Sequence, residues 1–192
     1  MNENAVTKSK FTQSILRGAQ KFQSNKMVRA LSGGMMGVMS LMMVSSVATL
    51  IGAIDFWGIG EFLANTGIKG LCDQIVNMTN GIVSVYVAFM VAYKVGEIYK
   101  TDELNCGIMG LMAFMILTPL LEDGNIALSN VGSGGMFVAM FSALAAGRFY
   151  VYLIQKKIMI RMPDAVPPIV SKAFSAIIPG CLIAAIAGII YA

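Results

Sequence analysis

The sequence contains no histidine, and it has few charged residues for its length. The missing histidine excludes the commonest general base, the commonest metal ligand and any phosphohistidine. Charged residues make up 12% of the 192 residues and hydrophobic residues 57%, against roughly 25% and 45–50% in soluble domains. Polar surface this scarce cannot cover a globule in water. The composition therefore predicts an integral membrane protein.

Cysteine is also scarce, and the three cysteines (Cys72, Cys106 and Cys181) form no C-x-x-C motif. We interpret them as small apolar packing residues, and the sixteen methionines as apolar filler or lipid-facing residues. The net charge of +4 is too small to indicate nucleic-acid binding. We therefore expect no metal, no cofactor and no catalytic residue in this chain.

Long uncharged runs are what the sequence has instead. A helix needs about 20 apolar residues to cross the bilayer core. The runs predict an all-α membrane protein with about five transmembrane helices and a short interfacial amphipathic helix before the last. The predicted helices cover residues 30–54, 74–99, 104–121, 131–154 and 173–192.

The basic residues alternate between the connecting segments. Thirteen of the fourteen lysines and arginines lie in the N-terminal tail, the loop after the second helix and the segment after the fourth. Only Lys69 lies in the other loops. This bias predicts five spans with a cytoplasmic N-terminus and an external C-terminus. Lys94, Glu97 and Arg148, near predicted helix ends, are interpreted as interfacial anchors.

The tail, residues 1–29, is basic and has apolar residues from Phe11 to Phe22 near helical spacing. Such a stretch can lie on an anionic leaflet as an amphipathic helix. A solvated basic tail that only fixes the topology explains the same residues, and both interpretations stay open.

Small residues recur every fourth position along the fourth predicted helix. Spacing of this kind lets helix backbones approach closely in lipid. It indicates a tightly packed bundle or an oligomer interface, although glycine and alanine are also common in membrane helices. The four positions are Gly135, Ala139, Ala143 and Gly147.

Four of the five prolines lie in the stretch RMPDAVPPIVSKAFSAIIPG, which begins at Arg161. Pro163 favours extended backbone before it, and Pro167 with Pro168 suits a helix start, where a missing N–H costs nothing. Apolar residues then recur at helical spacing opposite two serines and a lysine. This interfacial segment, residues 155–180, is predicted to hold a short amphipathic helix that ends or kinks at Pro179-Gly180.

The last predicted helix leaves two alternatives. The residues after Gly180 are too few to cross a bilayer alone. Either the helix begins near Lys172 and is kinked at Pro179, or the chain stops inside the membrane. In the second case the chain is a truncated gene product.

The proline stretch and the helix before it resemble the membrane (IIC) component of the lactose/cellobiose family of the bacterial phosphoenolpyruvate-dependent sugar phosphotransferase system. That family's pattern is I-K-M-P-x-x-V-P-P-x-V-x-x-S-F-x-x-L-I-P-G, and here Arg161 replaces the usual lysine. The segment AYKVGEIYKTDELNCGIMGLMAFMIL also resembles the family. Residues that fit the proline pattern include Pro163, Pro167, Pro168, Phe174, Pro179 and Gly180.

The resemblance implies that residues 30–192 are the N-terminal scaffold half of the component, which forms the dimer interface and supports a moving transport domain. It implies a homodimer in the bilayer that works with cytoplasmic IIB and IIA components, and with a separately encoded second half if the gene is split. The family's sugar-contacting histidine and glutamate lie in that second half, so no substrate-binding residue can be assigned and the sugar cannot be named. The alternative hypothesis is a non-transport membrane assembly or regulatory subunit.

Overall fold

The structure is a computed structural model. It describes residues 16, 20, 23–54, 65–118, 121–122, 125–126, 128–160, 163 and 167–192. Most of the basic tail, together with Arg161 and Asp164, lies outside these residues, so the amphipathic interpretation of the tail stays a prediction.

The described residues form helices joined by short connections. Along the chain they are α1 (Lys26–Gly52), α2 (Ile68–Thr79), α3 (Val83–Ile98), α4 (Glu103–Leu117), β1 (Leu121–Glu122), β2 (Asn125–Ile126), α5 (Leu128–Val131), a 3₁₀ turn (Ser133–Gly135), α6 (Met136–Gln155), α7 (Pro168–Ser175) and α8 (Ile177–Tyr191). The two strands are an antiparallel pair of two residues each. The predicted all-helical membrane fold is therefore confirmed, with this small hairpin in one connection.

Three of these helical stretches are long and apolar enough to span a membrane, namely Lys26–Gly52, Ser133–Gln155 and Val170–Tyr191. The pair α2 and α3 passes the same test together but is bent by 42°. Helix α4 is apolar but only 15 residues long, about 22 Å at 1.5 Å per residue. These five stretches correspond in order to the five predicted spans.

Helix α1 starts at a polar cap and continues without a charge after Arg29. The Asn25 side chain accepts a hydrogen bond from the Met27 backbone N–H at 3.0 Å, which satisfies one of the free amides of the first turn. Its 27 residues extend about 40 Å. The buried side is narrow and made mostly of small residues, and most of the remaining surface is apolar and exposed.

The structure divides the predicted span 74–99 between α2 and α3. The break includes Gly81, where a Cβ atom would collide with the backbone carbonyl oxygen of Asn77. The Thr79 hydroxyl donates to the Ile75 carbonyl at 2.7 Å within the last turn of α2. Polar and glycine residues thus interrupt the helix inside an apolar stretch that hydropathy alone treats as continuous.

Helix α3 lies at the centre of the bundle, packed against α1, α4 and α6. One side of it is fully buried, including Val87, Val91 and Val95. Phe114 of α4 and Ala139 of α6 belong to the same core as Val87 and Val91. Because three other helices surround α3, almost every side of it is apolar in sequence.

The last span differs in detail from the predicted kink at Pro179-Gly180. The interruption lies at Ala176, between α7 and α8, and Pro179 is the third residue of α8. Proline has no N–H and is tolerated in a first helical turn, so the chain turns just before it. The Gly180 N–H donates to the Ala176 carbonyl at 2.9 Å, and the helix continues. Residues 170–191 thus form one span that begins near Lys172.

Candidate functional site: helix contacts and the basic end of the bundle

The small-residue ladder of α6 faces the inside of this chain. Ala139 and Ala143 are both completely buried in the core. A Cβ atom on Gly147 would lie 3.3 Å from the Cβ atom of Val95 and 3.4 Å from the Sγ atom of Cys106. The ladder therefore sets the distance of α6 from α3 and α4, and its buried rungs leave no surface there for a second molecule.

Gly135, the first rung, lies at the turn that starts α6. A Cβ atom on it would collide with the Asn130 carbonyl oxygen and lie 3.3 Å from the Oγ atom of Ser84. The Ser84 hydroxyl is buried and donates a short hydrogen bond to the Gly132 carbonyl. This contact joins the start of α6 to the start of α3.

The sequence analysis did not single out the close backbone contact of α1 with α3 at Gly34. A Cβ atom on Gly34 would lie 2.6 Å from both the Cα and the Cγ2 atoms of Val91. Gly33 and Gly37 also have a four-residue spacing in the sequence, but an added Cβ atom on either would meet only the flexible side chain of Lys94 or Met90. The signal that could have found it is the Ala30, Gly34, Val38 row at four-residue spacing, all three buried.

The proline residues have distinct positions. Pro163 and Pro167 are exposed, and Pro168 is the first residue of α7. Phe174 is 39% exposed, so one side of α7 is free for another contact. Pro179 and Gly180 are buried in α8, where a Cβ atom on Gly180 would lie 3.1 Å from the Met109 side chain of α4.

Helix α7 is held against the start of α4 by polar contacts. The Lys172 Nζ atom lies 3.8 Å from the Oδ2 atom of Asp102. The Asn105 side-chain amide donates to the Lys172 carbonyl at 3.4 Å. Asp102 also caps α4, because its Oδ1 atom accepts from the Asn105 backbone N–H at 3.3 Å. One carboxylate thus caps α4 and contacts α7.

The positive charges gather at one end of the bundle, which we call the basic end. Helices α1, α4 and α7 begin there, and α3 and α6 end there. Its described cations are Lys26, Arg29, Lys94, Lys100, Arg148, Lys156, Lys157 and Lys172. At the opposite end Lys69 is the one described cation. The helices thus bring together charges that lie in three separate sequence segments.

Two of the predicted interfacial anchors form a local pair, since Lys94 and Glu97 are in salt-bridge contact on the surface of α3. The third, Arg148, is partly buried, and its guanidinium carbon lies 4.7 Å from the ring centre of Tyr99. Lys26 approaches the same ring at 4.8 Å. Cations stacked on an aromatic ring at a helix end suit the membrane interface.

Two grooves between the helices are lined almost entirely by apolar residues, while a third cavity, of about 250 Å³ between α1 and α2, also has Thr49 and Asp73 in its walls. A groove of about 310 Å³ lies between α4, α6 and α8 and is lined by alanine, isoleucine, leucine and phenylalanine together with Ser142. A sugar needs several converging hydrogen-bonding groups, and this groove has one hydroxyl. Within the described ranges no three histidine, cysteine or acidic residues come together as a metal site.

Comparison with known proteins identifies the family. The model of the family described as phosphotransferase system, EIIC, matches residues 32–192. This chain belongs to that family. As a member with several apolar spanning helices, it is a multi-pass membrane protein.

Named relatives support the lactose/cellobiose group predicted from the proline stretch. The lichenan permease IIC component of Bacillus subtilis (strain 168) is 34% identical, over 84% of this chain and 39% of the relative. The cellobiose-specific EIIC component of Geobacillus stearothermophilus is 33% identical, over 86% of this chain and 40% of the relative. The chain thus spans about 40% of the length of these relatives.

A solved structure has the same arrangement of helices. It is the crystal structure of the transporter ChbC, the IIC component from the N,N′-diacetylchitobiose-specific phosphotransferase system. The TM-score is 0.85 at 30% sequence identity, and the match covers 93% of this chain and 45% of ChbC. The predicted IIC resemblance is therefore confirmed both in sequence and in fold.

Proposed function

We propose that these 192 residues are the scaffold half of a phosphotransferase-system permease for a β-linked disaccharide or β-glucoside. The main support is the match to ChbC, which aligns nearly all of this chain with less than half of a IIC transporter. The relatives named for lichenan, cellobiose and oligo-β-mannosides support the sugar class. The apolar lining of the groove between α4, α6 and α8 supports a scaffold role, because a sugar site needs several polar groups.

In this proposal the bundle stays rigid while another part of the permease moves. Interiors packed as closely as the α6 ladder deform little. Helix α7 is the element that couples the scaffold to the mobile half or to a dimer mate. Its contacts to α4 hold one side of it, while Phe174 on another side stays partly exposed.

We further propose that the basic end faces the cytoplasm, with the N-terminus on that side of the bacterial cell membrane. Lysine and arginine in short loops are retained on the cytoplasmic side, and eight described cations lie at this end against one at the other. The IIB and IIA components act from the same side, and the lactose-specific relatives named EIICB carry the B component in one chain. We propose a homodimer as the assembly.

A chimera tests the scaffold role. The segment of the Geobacillus cellobiose-specific EIIC component that matches this chain is replaced by these residues, and cellobiose uptake is measured in cells that lack other permeases for it. We expect uptake to persist, with sugar preference unchanged from the intact Geobacillus component. The matched control carries the same segment from the lichenan permease component.

Two outcomes contradict the proposal. If sugar preference follows the transplanted segment, the selective contacts lie in this chain and it is more than a scaffold. If the control chimera transports sugar and this one does not, a non-transport assembly or regulatory subunit is favoured. The chain alone, purified in detergent, should show no cellobiose-dependent thermal stabilisation, and a specific shift would contradict the absence of a sugar site.

A further inference from the structure

Arg148 carries a charge that the described part of the protein does not neutralise. Its Nη1 atom is buried, and no hydrogen-bond acceptor contacts it among the described residues. The π face of Tyr99 stabilises the cation but offers no acceptor for the N–H groups in the plane of the guanidinium. A buried guanidinium N–H without an acceptor is costly, so the site is suited to an external anion.

Arg148 lies beside an apolar groove between the start of α1 and the outer side of α6. The groove has a volume of about 570 Å³. Besides Arg148, its walls are Met27, Phe141, Leu144, Ala145, Phe149 and Tyr152. An occupant that fits must therefore combine a long apolar part with an anionic end.

The depth of the groove matches the boundary between headgroups and acyl chains. Arg148 lies seven residues before the end of α6 at Gln155, about 10 Å along the helix axis. Lys26 is the first residue of α1 and shares the Tyr99 ring with Arg148. Arg148 is thus at the end of the groove nearest the water, with Lys26 beside it over the same ring, and Phe141 is farther along α6 towards the bilayer interior.

We propose that this groove is a binding site for an anionic phospholipid. The headgroup phosphate accepts hydrogen bonds from Arg148 and an ionic contact from Lys26, and one acyl chain packs along Phe141, Leu144 and Ala145. Basic pockets between transmembrane helices suit anionic headgroups in this way, and the guanidinium fork matches phosphate geometry. The site lies apart from the α7 contacts and does not depend on the proposed transport role.

The test is native mass spectrometry of the full chain in detergent, titrated with dioleoyl phosphatidylglycerol or dioleoyl phosphatidylcholine. We expect one phosphatidylglycerol to bind about tenfold more tightly than phosphatidylcholine. Both lipids offer the phosphate, but the choline cation of phosphatidylcholine is repelled by the two cations, and attraction of a net negative headgroup to one or two basic residues has about this effect. Arg148→Gln should remove that preference, and Lys26→Gln, at an exposed position, should reduce it. Arg29→Gln is the matched control, since Arg29 is exposed at the same end but neither lines the groove nor is one of the two cations over the Tyr99 ring.

Three results overturn the proposal. Equal affinity for the two lipids shows that the groove does not select an anion. An equal loss from Arg29→Gln and Arg148→Gln shows general attraction to the basic end. Competition by inorganic phosphate at the same concentration as phosphatidylglycerol shows a free-anion site in which the apolar groove has no part.

Discussion

At the scale of single residues, the distances between the helices of this bundle depend on glycine and alanine residues at the helix contacts. Gly34 brings the α1 backbone against Val91, and Gly147 does the same for α6 against Val95. Small residues of this kind are what membrane helices use to pack, because lipid gives no hydrophobic driving force for their association. The α6 ladder could be recognised in the sequence since four rungs share one spacing. Gly34 could not be separated from its neighbour Gly33 without knowing which side of α1 meets α3.

Gly34→Ala should destabilise the protein, because the added Cβ atom would lie 2.6 Å from backbone and side-chain atoms of Val91. Overpacking of this kind costs about 1–3 kcal/mol. The measurement is unfolding in detergent micelles titrated with sodium dodecyl sulfate, followed by circular dichroism.

Gly70→Ala is the matched control for this change. Gly70 is also helical, but an added Cβ atom meets nothing within 4 Å. Alanine should leave stability unchanged or raise it by about 0.5–1 kcal/mol through helix propensity. A loss from Gly70→Ala equal to that from Gly34→Ala would show that packing against Val91 is not the cause.

At the scale of helices, hydropathy predicted the spans but not the breaks within them. The break between α2 and α3 depends on Gly81 beside the Asn77 carbonyl, a local steric fact inside an apolar stretch. The Pro179 kink was expected at the proline itself, whereas the helix is interrupted at Ala176. Because proline lacks an N–H, it disturbs the helical turn before it. A hydropathy pattern does not indicate at which residue the helix is interrupted.

The start of α4 provides a prediction at this scale. Asp102→Ala removes both the helix cap and the contact with Lys172, and should lower the free energy of unfolding by about 1 kcal/mol. Asp102→Asn keeps a cap oxygen and loses only the ionic contact. Lys172 is 66% exposed, so the ionic contact is screened and its loss should cost only a few tenths of a kcal/mol. Equal losses in the two variants, measured by the same titration, would show that the charge and not the cap holds α4 and α7.

At the scale of the whole molecule, the family and the scaffold role could be predicted from the proline stretch, while the groove beside Arg148 could not. The most specific pattern in the chain is the proline-containing segment of twenty residues that begins at Arg161. Arg148, by contrast, resembled an ordinary anchor in the sequence. Its position beside Tyr99 and Lys26 depends on three helices that meet only in the folded bundle, so no spacing along the chain indicates it.

The orientation of the bundle is testable by labelling its two ends. Lys156→Cys and Lys69→Cys are matched substitutions, since both lysines are exposed and each lies at a different end. In a background with the three native cysteines replaced by alanine, a membrane-impermeant maleimide should label Lys69→Cys in intact spheroplasts and Lys156→Cys only in inside-out vesicles. The reason is that basic loop residues stay cytoplasmic. The reverse pattern would place the basic end outside, and the IIB component would then have to contact the end that carries Lys69.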